Sequence, residues 1–255
     1  MTQSICVVGL GEIGGHTLNA LYRAGAMNLF GVEVDADKAQ HWRDEGFLVF
    51  EKMPARADVY IITVWNTDQI FKVLAKIKQT HLVSIESTID PSHMKEIRMA
   101  CMNADDVLVT CPHRYNPNDP QHHIFNQDRV LGGTTEKATA RGLNFYSQFM
   151  PGELLHVCSF EEAVLTKVIE NAYRYMEIVI AQEIKEGVEN YGQNFEAIRR
   201  LVNSKWNIDM REAREGVAGK CLPKDMGFLA KYLSSNFLDS FISRNLAYMK
   251  EHGAL

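Results

Sequence analysis

Short apolar runs alternate with helical patterns through the first half of the chain. "SICVVGL" (4–10) reads as a strand, and residues 14–24 read as a helix closed by Gly25. "NLFGVEV" (28–34), "DVYIITVW" (58–65), "HLVSIES" (81–87) and "DVLVTC" (106–111) read as further strands. Helix-like stretches lie between them, such as "TDQIFKVLAKIKQ" (67–79) and "PSHMKEIRMACM" (91–102). Strands alternating with helices predict a parallel sheet covered on both faces. Near residue 158 the pattern changes. "SFEEAVLTKVIENAYRYMEIVIAQEIKEGVENYG" opens with a capping box, Ser159 and Glu162, and then places apolar residues at 165, 168/169, 172, 176, 179/180 and 184. That spacing predicts one helix of roughly 30 residues, about 45 Å long. It is apolar around much of its circumference, as a helix buried in a core or at a subunit interface is, and a homodimer through this helix is expected. More helical segments follow to the end.

Composition narrows the class. The 255 residues are 46% hydrophobic and 23% charged, ordinary for a globular protein of one large domain or two modest ones. The net charge of −5, with no Lys/Arg block, argues against nucleic acid or an anionic membrane as partner. No apolar run approaches the ~18 residues of a membrane helix. The opening "MTQSICVVGLGEIGG" has no basic leader before its apolar run, so it reads as a first strand and not as a signal peptide. Five cysteines, at 6, 101, 111, 158 and 221, include no CxxC spacing. A disulfide framework and a zinc site are both unexpected, and a reducing cytoplasm fits best. His122 and His123 are adjacent in a polar loop with no third ligand in view, so no metal is expected there.

"GLGEIG" sets Gly9, Gly11 and Gly14 between a strand and a helix, and Glu33 ends the second strand 19 residues after Gly14. In that context the triplet is a dinucleotide fingerprint. Gly9 allows the tight turn, Gly11 lets backbone approach the pyrophosphate, and Gly14 lets helix pack on strand. The helix N-terminus faces the phosphates and the acid accepts bonds from the adenosine ribose. A carboxylate at 33 repels a 2′-phosphate, which favours NAD over NADP, although Lys38 lies close by in sequence. Glu12, Ile13 and Val64 complete the candidate cofactor contacts. The fold class is therefore α/β: a Rossmann-type doubly wound sheet over residues 1–157, then an all-helical domain over 158–255 built on the long helix.

Two further stretches carry chemistry. Lys167 and Asn171 sit four apart, on one face of the long helix. A lysine there is either a proton shuttle or electrostatic anchor, or a solvated side chain with an amide beside it. "GVAGKCLPKDMGFL" (216–229) reads as a small-residue loop holding Cys221, with Asp225 four residues on. A cysteine so placed is a reactive thiol, a metal ligand or inert packing. The other four cysteines lie in or beside strands or turns and read as packing.

Together, "GLGEIG", "ESTIDPS", "PHRYNPND", "AVLTKVIENAYR" and "GKCLPKD" resemble the nucleotide-sugar 6-dehydrogenases, the UDP-glucose/GDP-mannose dehydrogenase family, nearly end to end. The resemblance implies NAD-dependent oxidation of a sugar or nucleotide-sugar C6 alcohol to a carboxylate. It implies Cys221 as nucleophile, through a thiohemiacetal and a thioester. Lys167, Asn171 and Asp225 would bind water and stabilise oxyanions, with Lys167 and Asn171 also on substrate, and Thr88 would sit near the nicotinamide. Arg114 and Asn116 are candidates for holding substrate. Where the family reads "PER", this chain has Pro112, His113, Arg114. The missing glutamate is the base for thioester hydrolysis, and His113 is its candidate replacement, a lost step or a loop residue with no role. The chain stops at "FISRNLAYMKEHGAL", where the family continues into a second nucleotide-binding unit, so a shortened form is expected. Two other readings remain: a 3-hydroxyacid dehydrogenase, which shares a KxxxN helix but needs no such cysteine, and a non-catalytic NAD-binding subunit of a longer relative.

Overall fold

The computed structural model describes residues 3–54, 56–116, 118–119 and 121–254. The chain forms two compact units, 1–167 and 168–255. The first is built as β1 (Ser4–Val8), α1 (Glu12–Arg23), β2 (Asn28–Val32), α2 (Ala36–Asp44), β3 (Val49–Phe50), β4 (Val59–Ile62), α3 (Thr67–Leu74) and β5 (Leu82–Ile85). It continues through α4 (Met94–Ala100), α5 (Ala104–Val107), β6 (Leu108–Thr110), β7 (Arg129–Gly133), α6 (Glu136–Tyr146) and β8 (Leu155–Ser159) into α7 (Phe160–Asn190). The strands form one sheet in the order β3-β2-β1-β4-β5-β6-β7-β8. Every neighbouring pair is parallel except β6 and β7, which run antiparallel.

Period-two alternation splits each central strand between two cores. Ile5, Val7, Val59 and Ile61 join one cluster with Leu18 and Leu21 of α1, Ala39 of α2, and Phe145 and Tyr146 of α6. Cys6, Val8, Tyr60 and Ile62 join the other with Ile70 of α3, Ile97 of α4, Val107 of α5 and Phe160 of α7. Helices thus cover both faces, as parallel strands require. The antiparallel β6–β7 pair departs from the expected all-parallel sheet, and β3, β7 and β8 were not anticipated. The change in sequence pattern at 157 and the division between the units at 167/168 are different boundaries: the long helix starts in the first unit and runs on into the second.

α7 has 31 residues. Its capping box closes as the sequence predicts: Ser159 Oγ accepts from the Glu162 N–H at 3.2 Å, and Glu162 Oε2 accepts from the Ser159 N–H at 2.7 Å. The second unit adds α8 (Phe195–Val202), α9 (Cys221–Leu233) and α10 (Asn236–Glu251). Its core is Val168, Ala172, Tyr175, Ile178 and Val179 of α7 packed with Val217, Met226, Leu229, Ala230 and Leu238. Among the described residues no helix is long and apolar enough to cross a membrane.

Candidate active site

Gly9 follows β1 with φ near +90°, a left-handed turn that side chains disfavour. A Cβ at Gly14 would lie 1.8 Å from the Gly9 carbonyl oxygen and 2.4 Å from Thr63 Oγ1, so only glycine lets α1 sit this close to the strand. At Gly11 the same construction meets nothing within 4 Å: the cradle is open where a pyrophosphate would approach. Gly11 is the N-cap of α1 and supplies no side-chain bond, so the first-turn N–H groups are left for a ligand. Glu12 is exposed and Ile13 half-buried in this turn.

Glu33 follows β2 and is buried. Its Oε2 accepts from the Leu10 N–H at 2.7 Å, and its Oε1 accepts from the Val34 and Asp35 N–H groups at 2.8 and 3.0 Å. Three of a carboxylate's roughly four acceptor positions are therefore used. The acid braces the glycine loop and has one acceptor position left. Lys38 does not compensate Glu33. Its Nζ lies 3.3 Å from Asp35, the cap of α2, whose carboxyl is lowered by the Lys38 N–H and ammonium. Val34 beside Glu33 is 80% exposed, an apolar surface at the ribose end that the sequence reading did not single out.

The other candidates of the first unit stand along the same edge. Gly9, Val64, Glu86–Thr88 and His113 follow the C-terminal ends of β1, β4, β5 and β6, the crevice where open parallel sheets bind ligands. Ser87 Oγ donates to the Val64 carbonyl at 2.8 Å and so ties two of these loops together. Thr88 is half-buried. Arg114 donates to the Asp128 carbonyl at 3.0 Å, and Asn116 Oδ1 accepts from the Asn118 N–H at 3.1 Å, so both also hold their own loop. His122 is exposed and pairs with Asp119 at 2.7 Å.

His113 is buried, not a free loop residue. Its Nε2 contacts the Glu86 carboxylate and lies 3.1 Å from Thr17 Oγ1. Glu86 is fully buried. Burial alone would raise its carboxyl, but Arg129 and His113 outweigh burial and hold it at about 2. Arg129 lies 3.3 Å from Glu86 and also donates to the Cys111 carbonyl. The Tyr146 hydroxyl donates to Glu86 and lies 2.6 Å from Ser84 Oγ. Burial lowers the His113 pKa below its usual value, opposed by Glu86 and aided by Arg129 and Lys167. The half-buried Lys167 thus acts electrostatically on the same imidazole. Glu86, Arg129 and Tyr146 escaped the sequence reading, although an arginine inside the apolar "DRVLGG" implies a buried acid to match it.

In the second unit Asn171 donates to Asp225 Oδ2 at 2.5 Å. Asp225 is fully buried and also lies 3.8 Å from Lys224 Nζ. Cys221 is exposed and opens α9, one turn before Asp225. This corrects the reading of Cys221 as a loop residue: the loop ends at Lys220. Pro223 is accommodated because a helix's first N–H groups have no intrahelical acceptor to lose. The loop before it is pinned on two sides. Gln182 of α7 donates to the Arg214 carbonyl at 3.2 Å, and Asn245 of α10 accepts from the Val217 N–H at 2.7 Å.

Fingerprint turn, acid after the second strand and open parallel edge define a dinucleotide-binding α/β fold. The chain belongs to the UDP-glucose/GDP-mannose dehydrogenase family. Residues 54–150 match the family's NAD binding domain and residues 161–249 its central domain. UDP-N-acetyl-D-mannosamine dehydrogenase of Methanocaldococcus jannaschii is 26% identical over 90% of this chain and 62% of its own length. The chain thus spans about three fifths of that relative. The fold is shared with UDP-D-ManNAc dehydrogenase from Pyrococcus horikoshii, at TM-score 0.84, 21% identity, and 96% and 68% of the two chains. It is shared also with 3-hydroxyisobutyrate dehydrogenase of Mycobacterium tuberculosis, at TM-score 0.77, 17% identity, and 100% and 96% of the chains.

Proposed function

We propose that the protein oxidises the C6 alcohol of a nucleotide sugar of the UDP-N-acetylmannosamine kind to the carboxylate, with Cys221 as nucleophile. The observation that carries this reading is the Asn171–Asp225 bond at 2.5 Å, which joins the KxxxN face of α7 to the CxxxD face of α9 beside an exposed thiol. A relative named for UDP-N-acetyl-D-mannosamine supports the substrate class. The likeness to 3-hydroxyisobutyrate dehydrogenase concerns the fold, whereas both family models and the "GKCLPKD" stretch favour the sugar reading.

The Gly9–Gly14 turn and Glu33 would hold NAD, and two NAD molecules bound in turn would supply the hydride acceptor for the two oxidations. Water held by Lys167 and Asn171 takes the C6 hydroxyl proton, and Lys167 anchors charge on that oxygen, as the hydride leaves C6 and the alcohol becomes an aldehyde. The Cys221 sulfur adds to the aldehyde carbon and forms a thiohemiacetal. The positive N-terminal end of α9 favours negative charge near that sulfur, and Asn171 donates to the developing oxyanion. Loss of the second hydride leaves a thioester. Water adds to it with its proton taken by His113, and collapse returns the thiol and a carboxylate. Thr88 and Asn171 position that water, and Arg114 and Asn116 hold the substrate. The test is NADH formation across a panel of sugar nucleotides and 3-hydroxyacids. Turnover confined to hydroxyacids would replace this reading.

We place the protein in the cytoplasm, where five unbridged thiols stay reduced. Fractionated cells with the protein outside the cytoplasm would contradict this. We also propose a homodimer through α7, where Ile169, Tyr173 and Ile180 are 48%, 59% and 47% exposed along one helical stripe. Light scattering should give twice the chain mass, and a monomer at micromolar concentration would contradict it.

A further inference from the structure

The buried cluster around His113 fixes where its proton sits. Nε2 has two neighbours, the Glu86 carboxylate and Thr17 Oγ1. The ionised carboxylate only accepts. Thr17 Oγ1 lies 3.1 Å from both the Ile13 carbonyl and Nε2, and with its proton on the carbonyl it accepts from the ring. Nε2 therefore carries hydrogen in every protonation state of the ring. Nδ1 is buried and has no hydrogen-bond partner among the described residues. In the neutral imidazole it holds the bare lone pair.

We infer that Glu86, held by Arg129 and Tyr146, is a positioning residue that locks His113 as the Nε2–H tautomer and leaves Nδ1 to take the proton of the water that releases the acyl group. This rests on the reading of His113 as the base of that step. The logic is that of a carboxylate–histidine pair, in which the acid orients the ring and the far nitrogen does the proton transfer. Arg129 and Tyr146 keep the acid from swinging away: Tyr146 donates to one carboxylate oxygen, and the Arg129 guanidinium lies 3.3 Å from the same oxygen. The other oxygen lies against His113 Nε2 and has no other aligned hydrogen-bond partner among the described residues.

The charges facing the ring set its titration. Glu86 after β5 raises its pKa, while Arg129 of β7 and Lys167 of α7 lower it, in addition to burial. From α1 comes the uncharged Thr17. Burial raises the Tyr146 hydroxyl of α6 and the Cys111 thiol after β6, so both stay neutral near pH 7. Replacing Glu86 by glutamine removes the one group that favours the imidazolium. The acid limb of acyl release then moves to lower pH, and the ring becomes a weaker base with no fixed tautomer.

The first measurement is the histidine ring ¹⁵N spectrum of the wild-type protein at about pH 7.5, with His113 assigned by its absence in His113→Gln. A neutral ring with hydrogen on Nε2 is expected. Hydrogen on Nδ1, or an imidazolium, overturns the inference whatever the enzyme turns over. The second measurement compares Glu86→Gln with wild type in single turnovers with UDP-N-acetylmannosamine and NAD. Acyl release should slow by about a hundredfold, more than the first hydride step, with its acid limb shifted down. Equal slowing of both steps with an unmoved pH profile makes Glu86 merely structural and overturns the inference. If Glu86→Gln does not fold, the wild-type spectrum still decides. Absence of turnover with every sugar nucleotide removes the proposed function instead, and leaves the tautomer result standing.

Discussion

An alkylating reagent meets five different thiols in this chain. Cys6, Cys101 and Cys111 are buried, and burial pushes their thiols well up, Cys101 and Cys111 to about 12. Cys158 is half-buried and raised by burial and by Glu162. Cys221 alone among them is exposed. Thiolate and access together govern the reaction. Iodoacetamide at neutral pH should therefore modify Cys221 first by at least tenfold, and bound nucleotide sugar should protect it. Peptide mapping over time checks this, and uniform labelling of all five would make Cys221 no more available than the packed ones.

The helices divide by how they begin. α2, α3, α6, α8 and α10 each start with a side chain that accepts a first-turn N–H, and α7 has its capping box. α1 and α9, which open the glycine turn and the Cys221 segment, have no such side-chain bond, and neither do the short α4 and α5. The start of α1 leaves its first turn to a ligand, and the positive end of α9 favours negative charge formed in a reaction. Gly14→Ala tests the packing of α1: its methyl would meet the Gly9 carbonyl, so the backbone must shift. We expect stability to fall by about 1–3 kcal/mol and NAD affinity to fall with it; unchanged melting and unchanged calorimetric Kd would contradict this. Much of this was legible in the sequence. β1, β4 and β5 announce themselves as apolar runs, α7 by its capping box and period, and the tight turn before α1 by its spaced glycines. β7 was not, because "RVLGG" carries a charge and two glycines that argue against a strand until Glu86 pairs Arg129 from elsewhere in the fold. The helical start at Cys221 was hidden for a related reason: glycine before it and proline after it look like a loop.

For the whole molecule, the buried Glu86–His113–Arg129 cluster couples stability to pH. Glu86 has its folded pKa depressed to about 2, so its contribution is present above the ordinary carboxylate pKa and is lost as pH falls toward 2. His113 has a folded pKa below its ordinary 6.5, so below that pH the unfolded chain takes up a proton that the folded chain resists. Both act in one direction. The melting temperature should fall steadily as pH drops from about 7 through 4, and Glu86→Gln should flatten the part below about 4.5. A wild-type melting temperature that does not change over that range would contradict the cluster's charge state. The central claim, covalent two-step oxidation at Cys221, is tested most directly by incubating the protein with NAD and UDP-N-acetylmannosamine and following NADH, product and intact protein mass together. The account predicts two NADH per sugar, a carboxylate product, an acyl adduct on Cys221 during turnover, and no carboxylate from Cys221→Ala. One NADH per sugar, a free aldehyde or ketone, an unmodified protein and a fully active Cys221→Ala would contradict it.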